Sequence, residues 1–216
     1  MGNLFNYDNK VFTVLGKATD AIILGVFWFV CSIPIFTIGA SSSAFYYAYN
    51  KCVRQRRDYA WKEFFEAFKS NFKQATKIWL LILLFIVLSV VNLFILYPMQ
   101  EVLPFATVLM VIMLAILMIV TLISLYVFPY QARFENNGKE VLKNATLIMI
   151  ANFLWTLLLA VLYLIAIVAF IFIPLASIFV PAIYMALANP ILERIFKKYM
   201  LPEDLQEQIE YEKNGK

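Results

Sequence analysis

Apolar residues in this chain come in long unbroken runs, not in the short alternations of a soluble core. Six runs predict six helices, at about residues 18–38, 40–53, 77–96, 105–128, 147–173 and 175–191. About 20 apolar residues cross a hydrocarbon core roughly 30 Å thick, and a soluble helix of that length would keep a charged face. These runs have no such face. The expected fold is an all-α membrane protein, a bundle of six transmembrane helices in a single domain over residues 1–200, with a polar cytoplasmic tail over 201–216. The 40–53 segment is short for a span, so the count is five if it is re-entrant. Upstream, Phe5, Val11, Phe12 and Leu15, together with Lys10 and Lys17, suggest an interfacial segment at the cytoplasmic face.

The chain is organised around the stretch CSIPIFTIGASSSAFYYAY, Cys31 to Tyr49. Pro34 and Gly39 loosen or end the first helix, with Thr37 between them; such breaks persist at membrane depth where neighbouring protein satisfies the backbone. Ala40, Ala44 and Ala48 then repeat every four residues, a face that lets another helix approach closely.

The polar–apolar pattern changes in DYAWKEFFEAFKSNFK, residues 58–73. Trp61, Phe64, Phe65, Phe68 and Phe72 share one helical face and charges take the other. This predicts an amphipathic interfacial helix on the cytoplasmic side, or a docking helix for another subunit.

Composition strengthens the membrane reading: 63% hydrophobic, 15% charged, mean hydropathy +0.79. The net charge of +4 is uneven. Eight basic residues face three acidic ones between Lys51 and Lys77, whereas the links at residues 97–104 and 173–175 are almost uncharged. By the positive-inside rule the basic links, including Tyr130–Asn144, are cytoplasmic. Six spans then put both termini inside. The basic balance therefore encodes orientation, and no nucleic-acid partner is expected.

Candidate chemistry is sparse. There is no histidine, and no Asp, Glu, Lys or Arg lies between 20 and 51, 77 and 101, 101 and 133, or 143 and 193. Proton relays and ion sites normally need such groups. No phosphate loop, nucleophile elbow or metal-binding spacing occurs, so neither an enzyme nor a cofactor is expected. Intramembrane Ser, Thr and Asn serve interhelical hydrogen bonding. The alternative is a neutral path for a sugar-like solute, lined also by Tyr46, Tyr47 and Tyr49. A faint internal echo places Lys-polar-Ala-Thr in both SNFKQATKIWLLILL and EVLKNATLIMIANFL.

CSIPIFTIGASSSAFYYAYNKCVR, with FFEAFKSNFKQATKIW and YVFPYQARFENNGKEVLKNATLIMIANF, closely resembles the YesL-like family of bacterial integral membrane proteins. The resemblance covers about Asp20 to Leu158 and rests on the Pro-x-x-Thr-x-Gly break and the Ala-Arg-Phe step. It implies no catalytic residues. It implies a place beside carbohydrate ABC importers, with ABC permease subunits, and a solute-binding protein or sensor kinase, as partners besides the lipid bilayer. The positions it singles out are Pro34, Thr37, Gly39, Ala44, Asn71, Pro129, Arg133, Phe134 and Asn144. Arg133 follows the end of a span; it either snorkels to fix topology or bonds a carboxylate or helix C-terminus across an interface.

The expected function is a non-enzymatic accessory or regulatory subunit of a carbohydrate ABC importer in the bacterial plasma membrane. Ala40, Ala44 and Ala48 would meet permease helices, and the 58–73 helix would meet cytoplasmic parts of the partner. The alternatives are a stand-alone transporter or channel for a neutral solute, and a membrane partner of a sensor kinase controlling sugar uptake.

Overall fold

A computed structural model describes residues 10–54, 59–100, 103, 105–173, 178–203 and 205–206, with side-chain surroundings from Val14 onward. The described residues form seven α-helices and no strand: α1 Lys10–Ser32, α2 Ile38–Ala48, α3 Ala60–Leu96, α4 Ala106–Arg133, α5 Gly138–Ala151, α6 Phe153–Phe172 and α7 Val180–Phe196. The interfacial segment at residues 1–9, the 55–58 link, most of the 173–178 link and the tail beyond Gln206 lie outside the described residues.

Several helix ends have a local cause. α1 stops before Pro34, whose ring removes a backbone donor. The freed carbonyls of Cys31 and Pro34 are met by the Thr37 hydroxyl, and Thr37 N–H donates to the Pro34 carbonyl at 2.8 Å. After a 3-10 turn at Ile35–Thr37, α2 begins at once, and at Tyr49–Arg54 it widens into a π turn. α5 opens on a capping box: Glu140 N–H donates to Asn137 Oδ1 at 3.1 Å, and Asn137 N–H donates to Glu140 Oε2 at 3.3 Å.

Two expected segmentations change. α3 is one unbroken helix of 37 residues, about 55 Å long at 1.5 Å per residue. The expected interfacial helix at 58–73 and the span at 77–96 are halves of this rod, because no Gly or Pro interrupts Ala60–Leu96. Conversely, the 147–173 run is divided at Asn152, which has φ −119° and ψ 44°. There the Asn152 amide donates to the Ile148 carbonyl at 2.9 Å and to the Tyr199 hydroxyl at 3.1 Å. A short polar side chain that bonds its own backbone competes with a straight helix, which no count of apolar residues reveals.

α1 from Val14, α3, α4 and α6 are each long and apolar enough to cross a membrane, so by length and composition this is a multi-pass membrane protein. α2 and α7 are shorter, at 11 and 17 residues. α2 is instead the centre of the fold: Gly39, Ala40, Ser41, Ser43, Ala44, Phe45, Tyr46 and Ala48 are buried, with α1, α3 and α4 around it. Outward faces of the long helices, such as Phe94, Val108, Met118, Leu154 and Leu164, are exposed and apolar, as lipid contact requires.

Candidate functional site

The close packing of α2 begins at Gly39. A Cβ there would lie 2.6 Å from Trp79 Cβ, 2.7 Å from Phe128 Cε1 and 2.8 Å from the Ala75 carbonyl oxygen. Glycine thus lets α2 touch α3 and α4 at once. Trp79 Nε1 donates to the Ile35 carbonyl at 2.6 Å, holding α3 against the break after α1.

At the other end of α2 lies a buried charge node. Glu193 on α7 is wholly buried. Its Oε1 accepts from the Tyr46 hydroxyl at 2.6 Å and from Asn50 Nδ2 at 3.1 Å. Its Oε2 lies 3.3 Å from Arg54 Nη1 and 3.7 Å from Arg133 Nη2. A bare carboxylate in such surroundings would cost several kcal/mol, so two guanidinium groups and two neutral donors are what make its burial tolerable. The node draws together α2, its π turn, the end of α4 and α7. Beside it, Lys51 Nζ bonds Glu63 Oε2 at 2.7 Å and ties the π turn to the start of α3.

A second cluster adjoins the first. The Tyr130 hydroxyl accepts from Asn136 Nδ2 and Asn144 Nδ2, both at 3.0 Å. Its ring stacks on Phe134 at 4.6 Å, and both rings meet Phe196 edge-on. Arg133 Nη2 also donates to Met200 Sδ at 3.4 Å.

Between these helices lies a cavity of about 280 Å³. Its wall is largely apolar and includes the rings of Trp28, Phe45, Trp79 and Phe128, with Tyr163 and Tyr184 on α6 and α7. Leu192 and Phe45 in that wall directly precede Glu193 and Tyr46, and Pro129 lies one helical turn before Arg133, so the cavity and the charge node draw on the same stretches of α2, α4 and α7.

The residues singled out from sequence separate into distinct groups. Pro34, Thr37 and Gly39 form the break at the head of α2. Ala40, Ala44 and Ala48 are fully buried inside this single chain. That corrects the expectation that they face a partner: the chain's own helices cover them. Phe64 is fully buried and packs on Phe27 at 5.8 Å and Phe68 at 6.2 Å; Phe72 lies 5.4 Å from Phe68. Trp61 and Phe65 remain exposed, and Asn71 is half-buried. Pro129, Arg133, Phe134 and Asn144 meet around Tyr130 and the node. In the internal echo, Ala75 and Ala145 are both fully buried, and Gln74 Nε2 donates to the Asn136 carbonyl at 2.9 Å just ahead of α5.

Glu193 escaped the sequence reading because it ends the last apolar run and looks like the first residue of a tail. Its trace lies in spacing: Tyr46, Asn50 and Arg54 recur every four residues, as do Asn189 and Glu193, each row placing polar groups on one helical face.

Residues 21–93 match the profile of a family described as a protein of unknown function, DUF624. That match covers α1 from its middle through most of α3 and stops before the Tyr130 cluster. No curated protein and no solved structure matches the chain.

Proposed function

We propose that this chain is a non-enzymatic accessory or regulatory subunit of a bacterial carbohydrate ABC importer, held by contact with the importer's permease subunits. The YesL-like resemblance supports the importer. The observation that carries the contact surface is a group of exposed aromatics at the start of α3: Tyr59 is 74% exposed, Trp61 57% and Phe65 37%. Lys62, Glu66, Lys69 and Lys73 lie exposed among them. Exposed aromatics within a charged surface have the composition of an interface core with a polar rim. The rod-like continuity of α3 supports a role for this surface beyond the apolar part of the helix, where a partner's cytoplasmic parts are accessible. The small-residue face of α2 is spent within the fold and plays no part in the proposed contact.

In this proposal the chain sits in the plasma membrane with six spans, α2 with its π turn and α7 being the short ones, and with both termini cytoplasmic. The Glu193 node serves as a pin. Its charges are engaged with one another, which suits a rigid scaffold better than a group that must gain and lose protons.

The test is affinity capture of the full-length tagged protein from its native host in gentle detergent, read by mass spectrometry. Near-stoichiometric recovery of both permease subunits, lost on Trp61→Ala plus Phe65→Ala, is expected. Recovery of a sensor kinase without permease would move the role to signalling, and recovery of neither would overturn the proposal.

A further inference from the structure

The cavity carries an inference independent of the partner role. Its volume, about 280 Å³, is roughly twice the 150 Å³ that accommodates benzene in an engineered apolar cavity. Most of its few polar groups are already engaged. Trp28 Nε1 donates to Ser42 Oγ at 3.0 Å, Ser124 Oγ donates to the Thr121 carbonyl at 2.6 Å, and Trp79 Nε1 is held by Ile35. On the opposite wall the rings of Tyr163 and Tyr184 meet at 5.8 Å, and no hydrogen bond among the described residues engages either hydroxyl. Both tyrosines are half-buried and line this one largely apolar cavity; a hydroxyl left without a partner in apolar surroundings marks a place where a ligand's oxygen belongs.

We propose that the cavity binds a neutral membrane amphiphile, an acyl-chain or ring-bodied lipid with one or two hydroxyl or ester oxygens, whose polar end bonds Tyr163 and Tyr184. The count of polar groups decides between this ligand and a sugar. A hexose presents roughly five hydroxyls, and the lining side chains offer the two tyrosine hydroxyls, the proton of Ser42 and the acceptor oxygen of Ser124; the remaining sugar hydrogen-bonding groups would be desolvated without compensation. Neutrality follows from the wall: among the described residues that line the cavity none is charged, and Glu193, Arg54 and Arg133 are engaged with one another. Entry is from the bilayer. Ile167, Phe170 and Ile171 line the cavity and are also exposed on α6, a helix without a polar face.

The experiment is photolabelling of the full-length protein in nanodiscs doped with a monoacylglycerol carrying a diazirine in its acyl chain, read by peptide mass spectrometry. Label is expected on the cavity side of α6 and α7. Ala166→Phe, which fills the cavity from α6, should reduce it about tenfold. Tyr163→Phe plus Tyr184→Phe should lower monoacylglycerol labelling about fivefold or more, in line with two lost neutral hydrogen bonds, and leave labelling by a diazirine alkane unchanged. If the filled variant fails to fold, the tyrosine pair, which removes only two oxygens, decides. Label spread evenly over the lipid-facing sides of α3 and α4, equal loss of both probes, or displacement of the cavity label by excess disaccharide would each overturn the proposal.

Discussion

Gly39→Ala tests the packing at the centre of the fold. One methyl group is added where three atoms already stand 2.6, 2.7 and 2.8 Å away. Carbon contacts are comfortable at about 3.5–4.0 Å, so each neighbour must retreat by about 1 Å. The Phe128 ring can turn. Trp79 Cβ and the Ala75 carbonyl cannot move without α3 itself, so the whole α2–α3 contact must open. Overpacking of this kind costs about 1–3 kcal/mol, and with helix backbones as the obstacles the upper half of that range applies. Alanine returns about 1 kcal/mol of helix propensity, leaving a net loss of about 1–2 kcal/mol. For a chain of this size that is a fall in melting temperature of about 2–8 °C. Gly16→Ala is the control, since nothing lies within 4 Å of its Cβ position and the same propensity gain comes without a clash. It should melt at or slightly above the wild type. Both variants would be followed by tryptophan fluorescence on heating, in one mild detergent, with no partner present. If Gly39→Ala melts as high as Gly16→Ala, the glycine does not hold α2 against α3 and the reasoning fails.

Other consequences follow from the same contacts. Glu193→Ala strands two arginines beside an apolar pocket and should cost about 3–5 kcal/mol, while Tyr46→Phe, which removes one bond to the carboxylate, should cost about 1.5–3 kcal/mol; in the double variant the loss should fall short of the sum, since both act through one carboxylate, and additive losses would count against the node. Thr37→Val leaves the carbonyls freed by Pro34 without their hydroxyl and should lower stability by about 1–2 kcal/mol, read by the same melts, with wild-type stability counting against that role. Trp61→Ala should change stability by less than about 0.5 kcal/mol, being exposed, yet weaken capture of the permease; a large stability loss would show that the ring is packed in solution.

Much of the local structure could be read from the chain. The break at Pro34 uses a residue type whose backbone chemistry leaves few options, whereas the start of α5 at Gly138, inside a stretch that reads as a cytoplasmic link, was not expected. The aromatic row of α3 was legible as one helical face, but its partner was not. Whether Phe64 meets lipid, another subunit or Phe27 depends on a helix some 40 residues earlier, and hydrophobic periodicity is silent on that. The same limit explains Ala40, Ala44 and Ala48, whose spacing announces a close helix contact without naming the helix. It also explains Glu193, bonded to side chains 147 and 143 residues away in the chain.

What the sequence determined by itself is the solvent and the class: runs of uncharged apolar residues long enough for a bilayer leave only hydrogen-bonded helices available, because lipid satisfies no backbone group. Tertiary structure alone decided which face of each helix is spent inside the chain and which remains open. It decided that α3 runs as one rod, that a carboxylate at the end of the last apolar run is neutralised by two arginines from other helices, and that two tyrosines from different helices line one cavity. These outcomes depend on helices brought side by side, where burial makes an unpaired charge or hydroxyl costly enough to select one arrangement among many that the same pattern allows.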